Sequence, residues 1–210
     1  ITASNNVTVY GMHINSTLIR TSTNDDVRNV AIIVPDSGVK LVLKNNIIGF
    51  NASATEAASK GSSVLASSVK LLDGSEISGN TITGVTAHVL NLQAVDGSGK
   101  LTVQGNTVTM NPDEEIQGDK GRALLKIHPI TSSDITYLVY DNVVTKAAGA
   151  QNDSLIVRVD GTLDSDNIQI TMYNNTYENS KTSSFLYGGT IYGHQLGKLR
   201  ISETQDGPCI

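Results

Sequence analysis

A short pattern recurs seven times along this 210-residue chain, and no other feature of the sequence restricts the possible folds as strongly. It is clearest at residues 101–108, L-T-V-Q-G-N-T-V, where the asparagine provides an anchor for aligning the other copies. The seven anchor positions, with successive spacings of 34, 34, 26, 36, 33 and 29 residues, are Met12, Asn46, Asn80, Asn106, Asn142, Asn175 and Thr204. A period of about this length predicts the stacked units of a solenoid.

Apolar residues occupy two columns, one on each side of the anchor. The column three residues before it contains Val9, Leu43, Ile77, Val103, Val139, Met172 and Ile201. The column two residues after it contains Ile14, Ile48, Ile82, Val108, Val144 and Tyr177, with the polar Asp206 as the exception in the last copy. The residue directly before the anchor is Gly, Asn or Asp in six copies, and these residue types adopt positive φ most readily. Each repeat is therefore predicted to contain a strand, a tight corner and a second strand, with both apolar columns pointing into a core.

Five anchors in succession are asparagine: Asn46, Asn80, Asn106, Asn142 and Asn175. In a stack of coils about 4.8 Å apart, equivalent side-chain amides can hydrogen-bond one another in a ladder, as they do in cross-β stacks. Such a ladder would also satisfy the backbone polar groups that a corner removes from water. We predict that these asparagines line the inside of the corner and have a structural role.

A further strand is predicted upstream of each repeat, at 30–34, 64–72, 89–95, 124–127, 155–159 and 185–191, with turn signals such as Asp73-Gly74 between the strands. With these strands and the corner motif G-N-T-I-T-G at 79–84, the chain resembles the right-handed parallel β-helix superfamily, whose repeats are pectate-lyase-like. The resemblance implies an all-β, single-stranded right-handed parallel β-helix of about six to seven coils with an Asn-lined corner, as one domain over residues 1–210. An antiparallel sandwich also suits short alternating strands, but it gives no reason for five asparagines in one column.

The charge and the hydrophobicity of the chain argue against two classes of partner. Its formal net charge is −5, and its 15 Lys and Arg residues are scattered, whereas nucleic-acid binding needs a basic stripe that displaces counterions. The sequence has no run of about 20 apolar residues that could span a bilayer. It also has no polybasic cluster that could attach the chain to acidic lipids. We therefore expect neither nucleic-acid binding nor membrane insertion of this segment.

Features near the two ends predict a fragment of a larger secreted or surface protein. The sequence begins at Ile1 without an initiator methionine, and Met12 and Thr204 replace the anchor asparagine at the two ends. These breaks suit either capping coils or continuation into neighbouring modules, and we expect flanking modules of the same chain. The single cysteine, Cys209, has no internal disulfide partner, which leaves a free thiol or a bridge to another segment. Sequons for N-glycosylation occur at Asn6, Asn15, Asn51, Asn152 and Asn174.

The sequence gives little support for catalysis. The outward column four residues before the anchor contains one acid, Glu76, and the column two residues before it contains none, whereas a glycosidase needs two carboxyl groups about 5–9.5 Å apart. The loop acids at 113–115 are interpreted as a solvated cluster. Three aspartates could supply oxygen ligands but lack the spacing of a Ca²⁺-binding loop: Asp160, Asp164 and Asp166. The four histidines lack the spacing of a Zn²⁺ site: His13, His88, His128 and His194. We predict no catalytic residue, no metal site and no cofactor.

One outward column combines aromatic and polar residues. Tyr140 and Tyr173 occupy it in adjacent coils, and Lys44 and Gln104 continue it. Exposed aromatic rings flanked by polar groups suit the faces of sugars or a protein partner, although an aromatic pair across coils can also simply stabilise the sheet. We predict that these four residues form a ligand-binding surface.

The resemblance rests on a structural motif and implies no particular activity, but it extends to adhesin-like and passenger-type β-helices, and by analogy with them we expect a module without catalytic activity. We expect a secreted or cell-surface scaffold that binds a glycan or a protein partner. Two alternatives stay open. The first is a polysaccharide lyase, glycoside hydrolase or phage-type depolymerase of the same fold, and the second is a purely structural spacer in a filament.

Overall fold

The computed structural model describes residues 1, 3, 5–17, 29–32, 39–51, 62–69, 71–86, 88–93, 99–110, 122–128, 135–146, 154–159, 168–178, 185–187 and 199–204. In chain order, the strands in these ranges are β1 (Val7–Tyr10), β2 (His13–Thr17), β3 (Asn29–Ile32), β4 (Leu41–Lys44), β5 (Ile47–Asn51), β6 (Ser62–Val69), β7 (Ser75–Ser78), β8 (Thr81–Val85), β9 (Leu90–Gln93), β10 (Gly99–Gln104), β11 (Thr107–Met110), β12 (Arg122–His128), β13 (Ile135–Tyr140), β14 (Val143–Lys146), β15 (Ser154–Val159), β16 (Ile168–Tyr173), β17 (Thr176–Glu178), β18 (Phe185–Tyr187) and β19 (Leu199–Thr204). Pairing between these strands is parallel. This excludes the antiparallel sandwich.

The strands form three sheets that the chain visits in turn. Sheet 1 has the order β1-β4-β7-β10-β13-β16-β19, sheet 2 the order β2-β5-β8-β11-β14-β17, and sheet 3 the order β3-β6-β9-β12-β15-β18. Each strand therefore pairs with the strand three places further along the chain, which is the path of a parallel β-helix. The described residues contain six three-stranded coils and the first strand of a seventh, within the predicted range.

A sharp corner joins sheet 1 to sheet 2 in every coil that is described across it. The first corner residue has a positive φ, between 51° and 64°, in Gly11, Asn45, Gly79, Gly105, Asp141 and Asn174. Gly, Asn and Asp are the residue types for which this left-handed conformation is least costly. The corner predicted from the sequence is therefore confirmed in these six copies.

The core is a narrow column of aliphatic side chains between the sheets. On sheet 1 it contains Val9, Leu43, Ile77, Val103, Val139 and Met172, and on sheet 2 it contains Ile48, Ile82, Val108 and Val144. These are the two apolar columns of the repeat, so the predicted direction of each strand is confirmed. Tyr137 also points into the core, where burial raises the pKa of its phenol. The side chain of Tyr177 lies outside the described residues.

Sheet 3 differs from the other sheets because both of its faces are covered. All five residues at 123–127 of β12 are buried, and so are Ile156, Val157 and Arg158 of β15. Because successive side chains of a strand point to opposite faces, neither face of this sheet is open at these positions. The exposed sheet faces of the described chain therefore belong to sheets 1 and 2.

The last copy of the repeat is aligned differently from the sequence prediction. Ile201 pairs with Ile170, and Thr204 pairs with Tyr173, so Thr204 does not occupy the anchor position of its coil. The predicted alignment of this copy was wrong by two residues. A shift of two leaves the alternation of inward and outward residues intact, and the apolar pattern alone could not have detected it.

Candidate functional site

The asparagine ladder fixes the ends of the sheet 1 strands and is confirmed as predicted. Asn106 shows the pattern: its backbone N–H and its Nδ2 both donate to Oδ1 of Asn142, at 3.0 and 2.9 Å. Its own Oδ1 accepts the same two bonds from Asn80, at 3.0 and 2.9 Å. Its Nδ2 also donates to the carbonyl oxygen of Ile77 at 2.9 Å. The pattern recurs in Asn46, Asn80 and Asn142.

The ladder is a structural feature rather than a ligand site. Its five asparagines are buried at 0–5% exposure, and Asn175 also donates from Nδ2 to the carbonyl oxygen of Val139 at 2.8 Å. In the first coil, Met12 stands in the same position and its backbone N–H donates to Oδ1 of Asn46 at 2.9 Å. The corner backbone is thereby held in place, and the last outward residue of each sheet 1 strand is held beside it.

Those last outward residues form a continuous line along the solenoid, which we call the tyrosine column. Its members, each paired in register with the next, are Tyr10, Lys44, Ser78, Gln104, Tyr140 and Tyr173. The four residues predicted to bind a ligand, Lys44, Gln104, Tyr140 and Tyr173, therefore lie on one face of one sheet. Tyr10 and Ser78 were not among the predicted binding residues, although they occupy the same sequence column. This column was the sequence signal that could have identified them.

Tyr140 and Tyr173 stack face to face across two coils. Their ring centroids are 4.6 Å apart, and the ring planes differ by 9°. The hydroxyl of Tyr140 donates to Oε1 of Gln104 at 2.7 Å, so three neighbouring coils are connected. Desolvation, followed by the neighbouring Tyr173, raises the pKa of Tyr140. The phenol therefore stays protonated and able to donate this hydrogen bond at neutral pH.

A polar cluster lies at the middle of the column, where Glu76, from the neighbouring outward column, contacts the column members Lys44 and Ser78. Oε1 of Glu76 lies 3.2 Å from Nζ of Lys44 and accepts a hydrogen bond of 2.6 Å from the hydroxyl of Ser78. The Ser78 hydrogen bond, and then Lys44, lower the pKa of Glu76, with burial acting in the opposite direction. Glu76 is therefore ionised at neutral pH. Its contact with Lys44 is a diagonal between neighbouring strands, since Glu76 pairs directly with Val42.

Tyr10 is the most exposed aromatic ring of the tyrosine column. It is 63% exposed, whereas Gln104, Tyr140 and Tyr173 are partly covered. Its position at one end of the column places an open ring on the same face as the stacked tyrosine pair.

Three of the predicted sequon asparagines have described side chains, and all three are exposed. Oδ1 of Asn6 accepts a hydrogen bond of 2.8 Å from the backbone N–H of Lys40, Asn15 lies in β2, and Asn174 has a φ of 51° at its corner. The side chains of Asn51 and Asn152 lie outside the described residues.

The other residues considered for chemistry do not converge in the described ranges. His13 is exposed, whereas His88 is buried and its Nδ1 accepts a hydrogen bond of 2.9 Å from the backbone N–H of Ala123. The acids at 113–115, the three aspartates at 160, 164 and 166, and Cys209 lie outside the described residues. No group of three or more His, Cys, Asp or Glu side chains suited to a metal ion occurs in the described part of the chain. Nor does any helix that could cross a membrane occur there.

The three parallel sheets and the buried asparagine ladder define the chain as a parallel β-helix solenoid. Comparison of the chain with protein-family models, with curated proteins and with solved structures gives no match. The function must therefore be inferred from the surface itself.

Proposed function

We propose that this chain is a non-catalytic recognition module of a secreted or cell-surface protein. It binds a glycan or a protein partner along the tyrosine column of sheet 1. The observation that carries the proposal is the column itself, in which an exposed Tyr10, a polar cluster and a stacked tyrosine pair share one face of a rigid sheet.

The dimensions of the column favour an extended ligand. Tyr10 and Tyr140 lie four coils apart, which corresponds to about 19 Å at about 4.8 Å per coil. A ligand that contacts both must lie across the strands, along the solenoid axis. Aromatic rings offer apolar contact, while the groups between them supply hydrogen bonds, a combination that recognition surfaces use.

The electrostatics of the column favour binding over catalysis. A general acid must retain its proton near neutral pH, but the pKa of Glu76 is lowered. Its carboxylate already contacts Lys44 and Ser78. These contacts organise the surface instead of preparing a proton donor, so Glu76 does not support the general-acid step of a hydrolase.

A secreted or cell-surface location suits the exposed sequon asparagines. Asn6, Asn15 and Asn174 all have exposed side chains, and an N-linked glycan requires an accessible asparagine. Intact-mass analysis of the chain expressed through a secretory pathway, before and after enzymatic removal of glycans, tests this part of the proposal.

A screen of the purified chain on glycan and surface-protein arrays tests the binding function. The site variants are Tyr10→Ala and the double variant Tyr140→Ala/Tyr173→Ala. The matched control variants are Thr81→Ala and Thr107→Ala, because these threonines are exposed on sheet 2. Every variant is first compared with the parent chain by thermal unfolding, so that binding is measured only on folded protein.

We expect at least one ligand whose affinity falls tenfold or more in both site variants and stays within about twofold in the controls. Loss of affinity in the sheet 2 variants alone would contradict the location of the site. Release of shortened products from a bound glycan would contradict the non-catalytic function. If no ligand on either array binds the chain, the result would favour a structural spacer.

A further inference from the structure

We propose that Tyr140 and Tyr173 are a site of oxidative modification, at which a peroxide-driven one-electron oxidation joins the two rings in a dityrosine cross-link. This inference concerns a covalent change between neighbouring coils, and it does not depend on the ligand proposed above. It rests on the relative position of the two phenols and on their accessibility.

The geometry brings the two reacting rings together before any reaction. The rings are nearly parallel, with a 9° angle between planes and 4.6 Å between centroids. Their backbones are Cα partners on the adjacent strands β13 and β16, about 4.8 Å apart. Coupling requires the carbon atoms next to the two hydroxyls to approach to bonding distance, which is a movement of side chains whose rings already lie in contact.

The chemistry needs a peroxide as the electron acceptor and a catalyst that takes one electron at a time, of the class of haem peroxidases or photoactivated metal complexes. Each phenol loses one electron and one proton and becomes a phenoxyl radical, whose unpaired electron is shared with the ring carbons next to the oxygen. The two radicals form one carbon–carbon bond between these carbons. Each ring then regains its aromaticity as its ring hydrogen moves to the phenol oxygen. The two electrons and two protons reduce hydrogen peroxide to two molecules of water, so the protein becomes two hydrogen atoms lighter.

The other described tyrosines lack this arrangement. Tyr10 is exposed, but its Cα partner on the neighbouring strand is Lys44. Tyr137 is 2% exposed and points into the core. Among the tyrosines whose side chains the structure describes, Tyr140 and Tyr173 are thus the pair that is both stacked and reachable by a small oxidant. The cross-link would join the fifth coil to the sixth and oppose their separation.

The test oxidises the purified full chain in dilute solution with persulfate and a photoactivated ruthenium tris-bipyridyl complex. Persulfate is itself a peroxide and is small enough to reach half-buried rings. Intact mass, dityrosine fluorescence and mapping of the cross-linked peptides are measured. The variants are Tyr140→Phe and Tyr173→Phe, which retain the stacked rings but remove one phenol. Tyr10→Phe is the matched control, and the parent chain unfolded in guanidinium shows whether the reaction requires the fold.

We expect a monomer two hydrogen atoms lighter, with one peptide linking Tyr140 to Tyr173. The dityrosine yield should fall at least tenfold in Tyr140→Phe and in Tyr173→Phe, and it should stay within about twofold in Tyr10→Phe. Unfolding in guanidinium should remove the preference for this pair. Links between other tyrosines, cross-linking only between chains, an undiminished yield in both site variants, or no dityrosine at all would overturn the proposal.

Discussion

At the scale of single residues, the asparagines solve the main difficulty of a buried corner. A tight bend leaves backbone N–H and C=O groups without strand partners, and leaving such groups buried and unpaired is costly. The side chain of Asn106 acts as donor and acceptor at the same time, since it binds Asn80 and Asn142 as well as the carbonyl of Ile77. Aspartate lacks the side-chain donor and serine the reach, which explains why one residue type recurs.

Replacement of Asn106 by alanine is predicted to be one of the most damaging changes in the described chain. It removes the Nδ2 bonds to Asn142 and Ile77 and leaves the backbone N–H of Asn80 buried without its acceptor, whereas the backbone N–H of residue 106 keeps its bond to Asn142. Since each unsatisfied buried group costs about 1–3 kcal/mol, we expect a loss of about 3 kcal/mol or more in the free energy of unfolding, measured by urea denaturation.

The matched control is Met12→Ala, at the same position in the first coil. Met12 is 47% exposed, and its backbone N–H still reaches Asn46 whatever its side chain. This variant should lose less than about 1 kcal/mol. Similar losses for Met12→Ala and Asn106→Ala would show that the ladder is not what stabilises the corner.

The sequence contained enough information to predict the ladder but not the polar cluster. Asn46, Asn80, Asn106, Asn142 and Asn175 occupy one column of the repeat, and a column in a stack of coils means contact. Glu76 instead reaches Lys44 diagonally and Ser78 along its own strand. Such contacts depend on the rotamers of three flexible side chains, which a linear alignment does not contain.

At the scale of the strand, β8 contains a bulge that the sequence analysis did not predict. Its residues Thr83 and Val85 pair with the consecutive residues Thr109 and Met110 of β11, so Gly84 is an extra residue with a φ of 74°. The bulge returns Val85 to the inward side, where it is fully buried. The glycine was visible in the motif, but its role depends on the register with the next coil.

Alanine at Gly84 is predicted to destabilise the chain more than alanine at Gly105. Both glycines have positive φ, so each substitution carries about 1–2 kcal/mol of backbone strain. An added Cβ at Gly105 lies 3.9 Å from the nearest neighbouring atom, the backbone nitrogen of Gly79, whereas at Gly84 it would collide with the carbonyl oxygen of Phe50. Because that oxygen belongs to the backbone, Gly84→Ala should lose about 1–3 kcal/mol more than Gly105→Ala in urea denaturation. Equal losses would mean that strain alone matters at both positions.

The register of β19 shows that a repeat pattern does not determine strand pairing where the corner motif is missing. The first six copies were aligned correctly because each has a glycine, asparagine or aspartate at the corner, directly before the anchor residue. The seventh lacks a recognisable corner, and only the alternation remained. Alternation has a period of two, so it permits the two-residue error that the pairing of Ile201 with Ile170 corrects.

At the scale of the whole molecule, the core predicts a loss of stability at alkaline pH. Burial raises the pKa of Tyr137, so the folded chain holds this proton more tightly than the unfolded chain, in which the pKa is about 10. The resulting stabilisation is fully present below about pH 10 and declines as the pH rises further. We expect the urea midpoint of the parent chain to fall above about pH 10 more steeply than that of Tyr137→Phe. Parallel pH profiles would contradict the burial of this phenol.

The three sheets also determine which of the described sheet faces are open to the proposed partner. Sheet 3 is covered on both faces at its described positions, sheet 1 carries the tyrosine column, and sheet 2 carries uncharged residues such as Thr81 and Thr107 on its exposed face. The stacked coils bring Tyr10 and Tyr140 onto one line although they are far apart in the sequence. A ligand that lies along the whole column would contact six coils at once.

Hydroxyl-radical footprinting of the folded chain, with and without a ligand selected on the arrays, tests this account most directly. Tyrosines and exposed aliphatic side chains react, and the oxidation rate of each is followed by mass spectrometry of its peptide. We predict that the ligand slows oxidation of Tyr10 and of the Tyr140–Tyr173 pair together. Ile47, 52% exposed on sheet 2, should react at an unchanged rate. Protection of Ile47 without the tyrosines, or of one coil alone, would contradict recognition along the tyrosine column.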